Sequence, residues 1–133
     1  IIDDSYNASP ESMKSGLKIL NSSKASRRVA ILGDMYELGD ESEALHESVG
    51  TYAHDIGIDL LITIGSNATA IARAAVAAKE AEGIAYDGGL EVIAYTDKDE
   101  AISKINDLLT EGDVILVKAS RGMKLEDVIS AIK

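Results

Sequence analysis

The chain's 133 residues are 46% hydrophobic and 27% charged, with one proline and no cysteine, which excludes a disordered chain, a disulfide scaffold and a cysteine-based zinc site. Thirteen Lys and Arg against 23 Asp and Glu give a formal net charge of −10, which excludes a basic nucleic-acid-binding face and argues against binding to an anionic membrane surface. No apolar run reaches the ~20 residues of a transmembrane helix, so we expect one domain with its own core and no membrane insertion.

The first elements are a short strand and a well-marked helix. Ile1-Ile2 predicts a strand that runs into Asp3-Asp4. A chain that begins inside such a pattern, with no secretory signal, predicts a domain cut from a longer protein. The next helix is predicted over residues 10–22, because Ser9 is a favoured N-cap and Pro10 fits the first helical position.

Short apolar runs then alternate with amphipathic stretches. Strands are predicted at residues 28–32, 60–64, 91–95 and 114–117, the polar one at 91–95 on an edge of the sheet. Helices are predicted after Asp40, over residues 68–81, after Asp97, and around residues 125–132. Asp40 and Asp97 each precede a Glu by three residues, which predicts a capping box at both helix starts.

Five strands alternating with five helices predict a Rossmann-like α/β fold, with a mostly parallel sheet of about five to six strands and helices on both faces. Ligands of such sheets bind beyond the carboxyl ends of the strands. Polar residues gather there, which predicts a ligand site without naming a reaction: Asp3, Asp4, Tyr6, Asn7, residues 34–37, Ser66, Asn67, Lys118, Ser120 and Arg121.

Several motifs of catalysis and nucleotide binding are absent from the sequence. There is no P-loop, no G-x-G-x-x-G after a strand and no G-x-S-x-G elbow. His46 and His54 lie eight residues apart, without the spacing of a metal-binding helix. We interpret His46 as a histidine at the edge of the apolar stripe of its helix, and we predict no metal site in this domain.

Two positions have both an ordinary and a functional interpretation. Asp3-Asp4 is either a polar exit from a buried strand or a carboxylate that accepts hydrogen bonds from ribose hydroxyls. Lys118 is either a surface cation or a partner for a phosphate or carboxylate, and the residues favour neither. In the same way, residues 35–38 are either a loop packed on the sheet edge or part of the site, and Arg121 either caps the neighbouring loop or binds a ligand.

Four motifs in order are similar to a known family. They are DDSYNASP at residues 3–10, LGDMYELG at 32–39, ESEALH at 41–46 and LVKASR at 116–121. Together they resemble the C-terminal domain of the Mur ligases, of the MurF type, from residue 1 to about residue 127. The family often has Asn at the position of Ser9, and either residue caps a helix. It usually has Gly at the position of Ala119, so Ala119 argues against a very close backbone approach there.

The resemblance implies an ATP-dependent amide ligase with three domains. Such a ligase joins D-alanyl-D-alanine to a UDP-N-acetylmuramoyl-tripeptide through an acyl phosphate, in peptidoglycan synthesis. This chain would be the third domain, while the central P-loop domain would hold most of the ATP and Mg²⁺. We therefore expect no catalytic residue in this domain and no activity from it alone. The implied enzyme is cytoplasmic and monomeric.

The resemblance also assigns site residues. It implies that Asp4, Tyr6 and Asn7 face the ribose and adenine of ATP. The residues that it places on the D-alanyl-D-alanine side are Asp34, Met35, Glu37, Lys118, Ser120 and Arg121.

Two other classes of protein stay open on the residues alone. A phospho-receiver module also has an acidic pair after its first strand and a Lys after its last. However, Gly65 stands where the receiver's phosphorylated Asp is expected, and Ala119 stands where a receiver has Pro. The second alternative is a stand-alone binding or oligomerisation domain.

Overall fold

One parallel sheet organises the chain. The computed structural model describes residues 2–4, 8–82 and 89–132, and residues 2–4 only through their backbone. The strands are β1 (Ile2–Asp4), β2 (Arg27–Gly33), β3 (Leu60–Ile64), β4 (Glu91–Tyr95) and β5 (Asp113–Lys118). They pair in the order β1-β5-β2-β3-β4, and every pair is parallel. The prediction of a parallel sheet is confirmed, with five strands in the described part of the chain, and the polar strand β4 lies on an edge as expected.

Within the described residues, five helices connect and cover the strands. They are α1 (Pro10–Ser22), α2 (Ser42–Ile56), α3 (Thr69–Ala81), α4 (Lys98–Leu108) and α5 (Glu126–Ala131), with 3₁₀ turns at Gly39–Glu41 and Arg121–Met123. The predicted start of α1 is confirmed: the Ser12 N–H donates to the Ser9 hydroxyl at 3.1 Å, and the Ser9 N–H donates to the Ser12 hydroxyl at 2.8 Å. This reciprocal pair satisfies two backbone donors that the helix leaves open.

The predicted capping box of α2 is wrong. The helix begins at Ser42, after the 3₁₀ turn, and Glu41 at its start makes no side-chain cap bond. Glu41 has φ −91° and ψ 3°, so the backbone is already turning where an N-cap residue needs an extended conformation. At α4, Asp97 does cap the helix, but its carboxylate accepts from the N–H of Asp99 at 3.1 Å rather than from that of Glu100.

The core has two layers because alternate strand residues point to opposite faces of the sheet. On one face, Leu32, Leu61 and Leu116 pack with buried side chains of α1, α2 and α3. On the other, Ile31 and Val117 pack with side chains of α4 and α5. The prediction of helices on both faces is therefore confirmed, and the loops at the ends of the strands are the parts of the sheet that the helices do not cover.

Helices α2 and α3 approach each other very closely. Gly50 of α2 lies against the backbone of α3, where an added Cβ would collide with the carbonyl oxygen of Ile71. Alanines Ala70, Ala72, Ala74 and Ala75 make up most of the buried face of α3. This close packing brings the first turns of the two helices together beside the carboxyl ends of β2 and β3.

Candidate functional site

The carboxyl ends of the strands align in one row. Backbone pairing places Asp4, Lys118, Leu32, Thr63 and Ala94 side by side across the sheet. The chain leaves the sheet immediately beyond this row. The segments that follow β2, β3 and β5 therefore meet at one edge, as expected of a ligand site in a parallel sheet.

Asp34 holds two of these segments together. Its side chain is 6% exposed, and its Oδ1 accepts a hydrogen bond from the N–H of Ala68 at 2.6 Å, at the start of α3. Burial raises the pKa of Asp34, against the opposing effect of the Ala68 and Asn67 backbone donors. Gly65 has φ +119°, and a Cβ there would collide with the Asp34 carboxylate, so this position requires glycine.

The segment after β2, residues 34–38, is tied to two further elements, and we call it the β2 loop. The Met35 N–H donates to Nε2 of His46 on α2 at 3.0 Å. The Tyr36 N–H donates to the Ser120 hydroxyl at 2.7 Å, and the Ser120 N–H donates to the Asp34 carbonyl at 2.9 Å. The Met35 side chain is fully buried in the core. The β2 loop is thus fixed by bonds to α2, α3 and the segment after β5.

On the β2 loop and in the segment after β5, the side chains of Tyr36, Glu37 and Arg121 face outward. Tyr36 is 43% exposed, and its ring lies over Gly122, where a Cβ would approach Cε2 of the ring to 2.8 Å. Glu37 and Arg121 are exposed as well, and Glu37 has a left-handed backbone with φ +62°. A positive φ is uncommon for a residue other than glycine, so the anchored loop holds Glu37 in a strained conformation.

Lys118 is almost completely buried, with 1% of its surface exposed. Its aliphatic part runs along α1, where a Cβ added at Gly16 would lie 3.5 Å from the lysine Cδ. The interpretation of Lys118 as a surface cation is therefore wrong. Burial of an ammonium group is costly unless polar groups surround it. The backbone of Lys118 pairs with that of Asp4, which places Lys118 beside the end of β1.

Ala119 packs against Gly33 of the neighbouring strand. A Cβ added at Gly33 would lie 2.8 Å from the Ala119 methyl group. The close approach at this point therefore exists, and the glycine that allows it is Gly33 on β2. The methyl group of Ala119 occupies the space in which a side chain at residue 33 would stand, so the strands can hold an alanine at one position only with a glycine at the other.

The residues expected on the nucleotide side are described only in part. Asp4 is the last residue of β1, where its backbone alone is described, and Tyr6 and Asn7 lie outside the described residues. Of the six residues expected on the dipeptide side, the structure brings Asp34, Met35, Glu37, Ser120 and Arg121 to the contacting β2 and β5 segments. Lys118 lies at the end of β5 itself.

A cleft of about 300 Å³ lies beside the β2 loop, between the first turns of α2 and α3. Its walls carry Ser42, Glu43, His46, Ser66, Asn67, Ala70 and Arg73. Arg73 bridges the gap between the helices, with its Nη2 2.7 Å from Glu43 and 3.9 Å from Glu47. The sequence predicts Ser66 and Asn67 at this edge, but no pattern in it indicates the cleft.

The prediction that His46 lies at the edge of the apolar stripe of its helix is wrong. The side chain is fully buried, and its Nδ1 lies 2.7 Å from the carbonyl oxygen of Ser42. The signal was present in the sequence: Val49, Gly50 and Ala53, the buried residues of α2, follow His46 at spacings of three, four and seven. That spacing puts a polar ring on the buried face, where it needs hydrogen-bond partners.

Within the described residues, no group of three or more His, Asp or Glu side chains is arranged to hold a metal ion. His46 and His54 stand two helical turns apart on α2 and contact different partners, since His54 lies 3.2 Å from Asp55 and 3.6 Å from Glu82. None of the described helices is both long and apolar enough to cross a membrane.

A parallel sheet covered on both faces, with polar loops fixed at its carboxyl edge, defines a Rossmann-like α/β domain, a class of fold whose ligands bind at that edge. The family model described as "Mur ligase, glutamate ligase domain" matches residues 1–121. The chain belongs to this family, so the resemblance found in its motifs is confirmed and a phospho-receiver module is not favoured.

Relatives that align over the whole chain are longer proteins. The UDP-N-acetylmuramoyl-tripeptide–D-alanyl-D-alanine ligase of Bacillus subtilis is 36% identical over 130 residues, which is 97% of this chain and 27% of the relative. The Escherichia coli enzyme of the same name is 35% identical over 135 residues, covering 100% of this chain and 26% of the relative. The chain therefore spans about a quarter of the length of these relatives.

Solved structures agree with this assignment. A crystal structure of MurF from Acinetobacter baumannii superposes with a TM-score of 0.80 at 25% identity, covering 96% of this chain and 26% of that one. MurF ligase from Thermotoga maritima in complex with ADP superposes with a TM-score of 0.73 at 26% identity, covering 97% and 26%. The fold predicted from the sequence is thereby confirmed.

Proposed function

We propose that this chain is the C-terminal domain of a three-domain, ATP-dependent ligase of peptidoglycan synthesis. The complete enzyme joins D-alanyl-D-alanine to a UDP-N-acetylmuramoyl-tripeptide. The observation that carries the proposal is the alignment of essentially the whole chain with ligases of that name, at 36% and 35% identity. The anchored polar edge supports it, because an edge of this kind suits a ligand held between two domains.

In the proposed reaction, the terminal carboxylate of the tripeptide attacks the γ-phosphorus of ATP, which gives an acyl phosphate and ADP. The amine of D-alanyl-D-alanine then attacks the acyl carbon and loses a proton, and inorganic phosphate leaves as the amide forms. The contribution of this domain is to position the amine, since correct orientation of two reactants supplies several kcal/mol of a barrier.

The nucleotide side of the site is proposed at the end of β1. Asp4, Tyr6 and Asn7 would face the ribose and adenine, and support comes from the pairing of the Asp4 backbone with Lys118 at the carboxyl edge. The sequence has no P-loop, and the net charge of −10 disfavours a triphosphate. The phosphates and Mg²⁺ therefore belong to the central domain, and this chain alone has no ligase activity.

The dipeptide side is proposed at the β2 loop and the segment after β5. D-Alanyl-D-alanine has an amine at one end and a carboxylate at the other, so it needs an acidic group and a cation. Glu37 and Arg121 are the exposed members of the proposed set, while Asp34 and Ser120 hold the two segments in place. Met35 anchors the loop in the core, and Lys118 supplies a buried positive charge at the end of β5.

The test is steady-state kinetics of the complete ligase with Arg121→Ala and Glu37→Gln. Loss of one charge-assisted hydrogen bond costs about 1.5–3 kcal/mol, so we expect the KM for D-alanyl-D-alanine to rise at least tenfold. Formation of the acyl phosphate, measured as ADP release without dipeptide, should stay unchanged. The matched controls are Lys104→Ala and Glu111→Gln, two exposed residues outside the proposed site.

An unchanged dipeptide KM in both site variants would reject the dipeptide side. A complete protein that releases no ADP with the tripeptide substrate would reject the ligase itself. We place the enzyme in the cytoplasm, where ATP and UDP-linked sugars are available, and we propose that it acts as a monomer. Analytical ultracentrifugation at micromolar concentration checks the oligomeric state.

A further inference from the structure

Two short hydrogen bonds of His46 together define its protonation, and its Nδ1 also lies 3.3 Å from the Ser42 hydroxyl. Its Nδ1 lies 2.7 Å from the Ser42 carbonyl oxygen, which only accepts, so Nδ1 carries a proton. Its Nε2 accepts the Met35 N–H at 3.0 Å, so Nε2 carries none. Both bonds exist only in the neutral ring with its proton on Nδ1. The side chain is fully buried, so solvent does not replace either bond.

The bond to Met35 acts on the loop that carries the outward-facing residues. Met35 is fully buried in the loop after β2, where its backbone N–H donates to the His46 ring. The following residues present an exposed Tyr36 and a left-handed Glu37. A strained backbone of this kind persists only where its surroundings hold it. On one side the loop is held by Ser120, and on the other by His46.

We propose that His46 is a positioning residue for the dipeptide side of the site: through the Met35 N–H it fixes the β2 loop so that Tyr36 and Glu37 meet D-alanyl-D-alanine. The inference rests on the proposed function. His46 lies in the wall of the cleft beside the loop but does not itself bind the dipeptide. Its effect is on orientation, and so on the KM for the second substrate.

Two substitutions test the hydrogen bonds of the two ring nitrogens one at a time. In His46→Gln, the terminal amide reaches the place of Nε2, and its oxygen accepts the Met35 N–H. In His46→Asn, the shorter amide reaches the place of Nδ1 and donates to the Ser42 carbonyl, which leaves the Met35 N–H without an acceptor. Each variant therefore keeps one of the two bonds, and both lose similar aromatic packing.

We expect His46→Asn to raise the KM for D-alanyl-D-alanine in the complete ligase about tenfold, while ADP release without dipeptide is unchanged. His46→Gln should stay within about threefold of the wild type. Hydrogen–deuterium exchange of the peptide covering residues 34–38 should quicken about tenfold in His46→Asn and little in His46→Gln. If His46 had only a structural role, the KM and the loop exchange of both variants would change alike, in proportion to the loss in melting temperature.

Equal KM values in the two variants, or unchanged exchange of the loop in His46→Asn, would overturn the proposal. If exchange quickens but neither His46→Asn nor Glu37→Gln changes the KM, the dipeptide assignment of the loop has failed and the role of His46 fails with it. If Glu37→Gln raises the KM and His46→Asn does not, only the role of His46 is rejected. Should His46→Asn not fold, the ¹⁵N spectrum of the wild-type ring decides, because a proton on Nε2 contradicts the assignment.

Discussion

Thr63 on β3 provides a sensitive test of how the core of this domain is built. Its side chain is fully buried, and its Oγ1 is the one buried side-chain polar atom in the described part of the chain with no hydrogen-bond partner. Valine has the same branched shape with a methyl group in place of the hydroxyl. Thr63→Val removes a desolvation penalty of about 1–3 kcal/mol. It also adds about 0.8 kcal/mol of apolar burial.

We allow for the slightly larger methyl group and expect Thr63→Val to raise the free energy of unfolding by about 1–2 kcal/mol. For a domain of this size the melting temperature should rise by about 4–8 °C. Urea unfolding followed by far-ultraviolet circular dichroism measures the change at constant m-value. The matched control is Thr110→Val, because the Thr110 hydroxyl donates to Asp113 Oδ1 at 3.1 Å. That variant should lose about 1 kcal/mol.

A lower urea midpoint for Thr63→Val, at an unchanged m-value, would refute this reasoning. It would mean that the hydroxyl has a partner worth more than its desolvation. Equal and small changes in Thr63→Val and Thr110→Val would mean that neither hydroxyl matters for folding. Only a gain at Thr63 with a loss at Thr110 supports the account.

Four further predictions concern the ion pair, two residues of the site and the activity. Burial of Asp113 by itself would raise its pKa, but the hydrogen bonds from Arg27 and Thr110 outweigh burial and hold the pKa below its usual value. The stability that this carboxylate contributes is therefore present above about pH 4 and is lost as the pH falls through the lowered pKa. Asp113→Asn should cost about 2 kcal/mol at pH 7 and progressively less below pH 4 in urea titrations. The pKa of Asp34 is raised, so its pH dependence is opposite to that of Asp113: the wild type loses stability as the pH rises and Asp34 loses its proton. The free energy of unfolding of Asp34→Asn relative to the wild type should therefore improve as the pH rises from 3 to 7. Gly65→Ala should destabilise the domain by about 2 kcal/mol or more, because φ is +119° and the new methyl meets the Asp34 carboxylate; an unchanged melting temperature would contradict this. Finally, the purified 133-residue chain should unfold cooperatively but hydrolyse no ATP above a contaminant control, and measurable hydrolysis would contradict the proposal that the ATP phosphates are held by another domain.

Local features of the sequence were sufficient for the elements and for the class of fold. Ser9 and Pro10 mark the start of α1 through interactions within four residues of one another, and the predicted bounds Pro10–Ser22 are confirmed. Apolar runs without polar interruption identify strands that are buried on both faces. The motifs that begin at Asp3, Leu32 and Leu116 identified the family because their residues are close together in the chain.

Local rules failed where the surrounding chain changed the geometry. The spacing of Asp40 and Glu43 satisfies the capping-box pattern, but a 3₁₀ turn precedes α2 and removes the extended N-cap conformation. His46 has the spacing of the buried face of α2, although the apolar pattern of the sequence placed it at the edge of the apolar stripe. Its burial depends on Met35, eleven residues earlier, whose N–H meets the ring only when the β2 loop is folded.

The arrangement of the site was decided by contacts that no local pattern records. Periodicity predicts parallel strands but not that β5 lies between β1 and β2, because strand order is set by how the helices cover the finished sheet. That order brings Lys118 beside Asp4 and against Gly16, about one hundred residues away in the chain. It also places Ser120 against Tyr36 and Asp34 against Ala68. Sequence alone therefore determined which residues gather at the edge, and tertiary structure decided which of them hold the loops and which face outward, because burial and hydrogen bonding are properties of the assembled sheet.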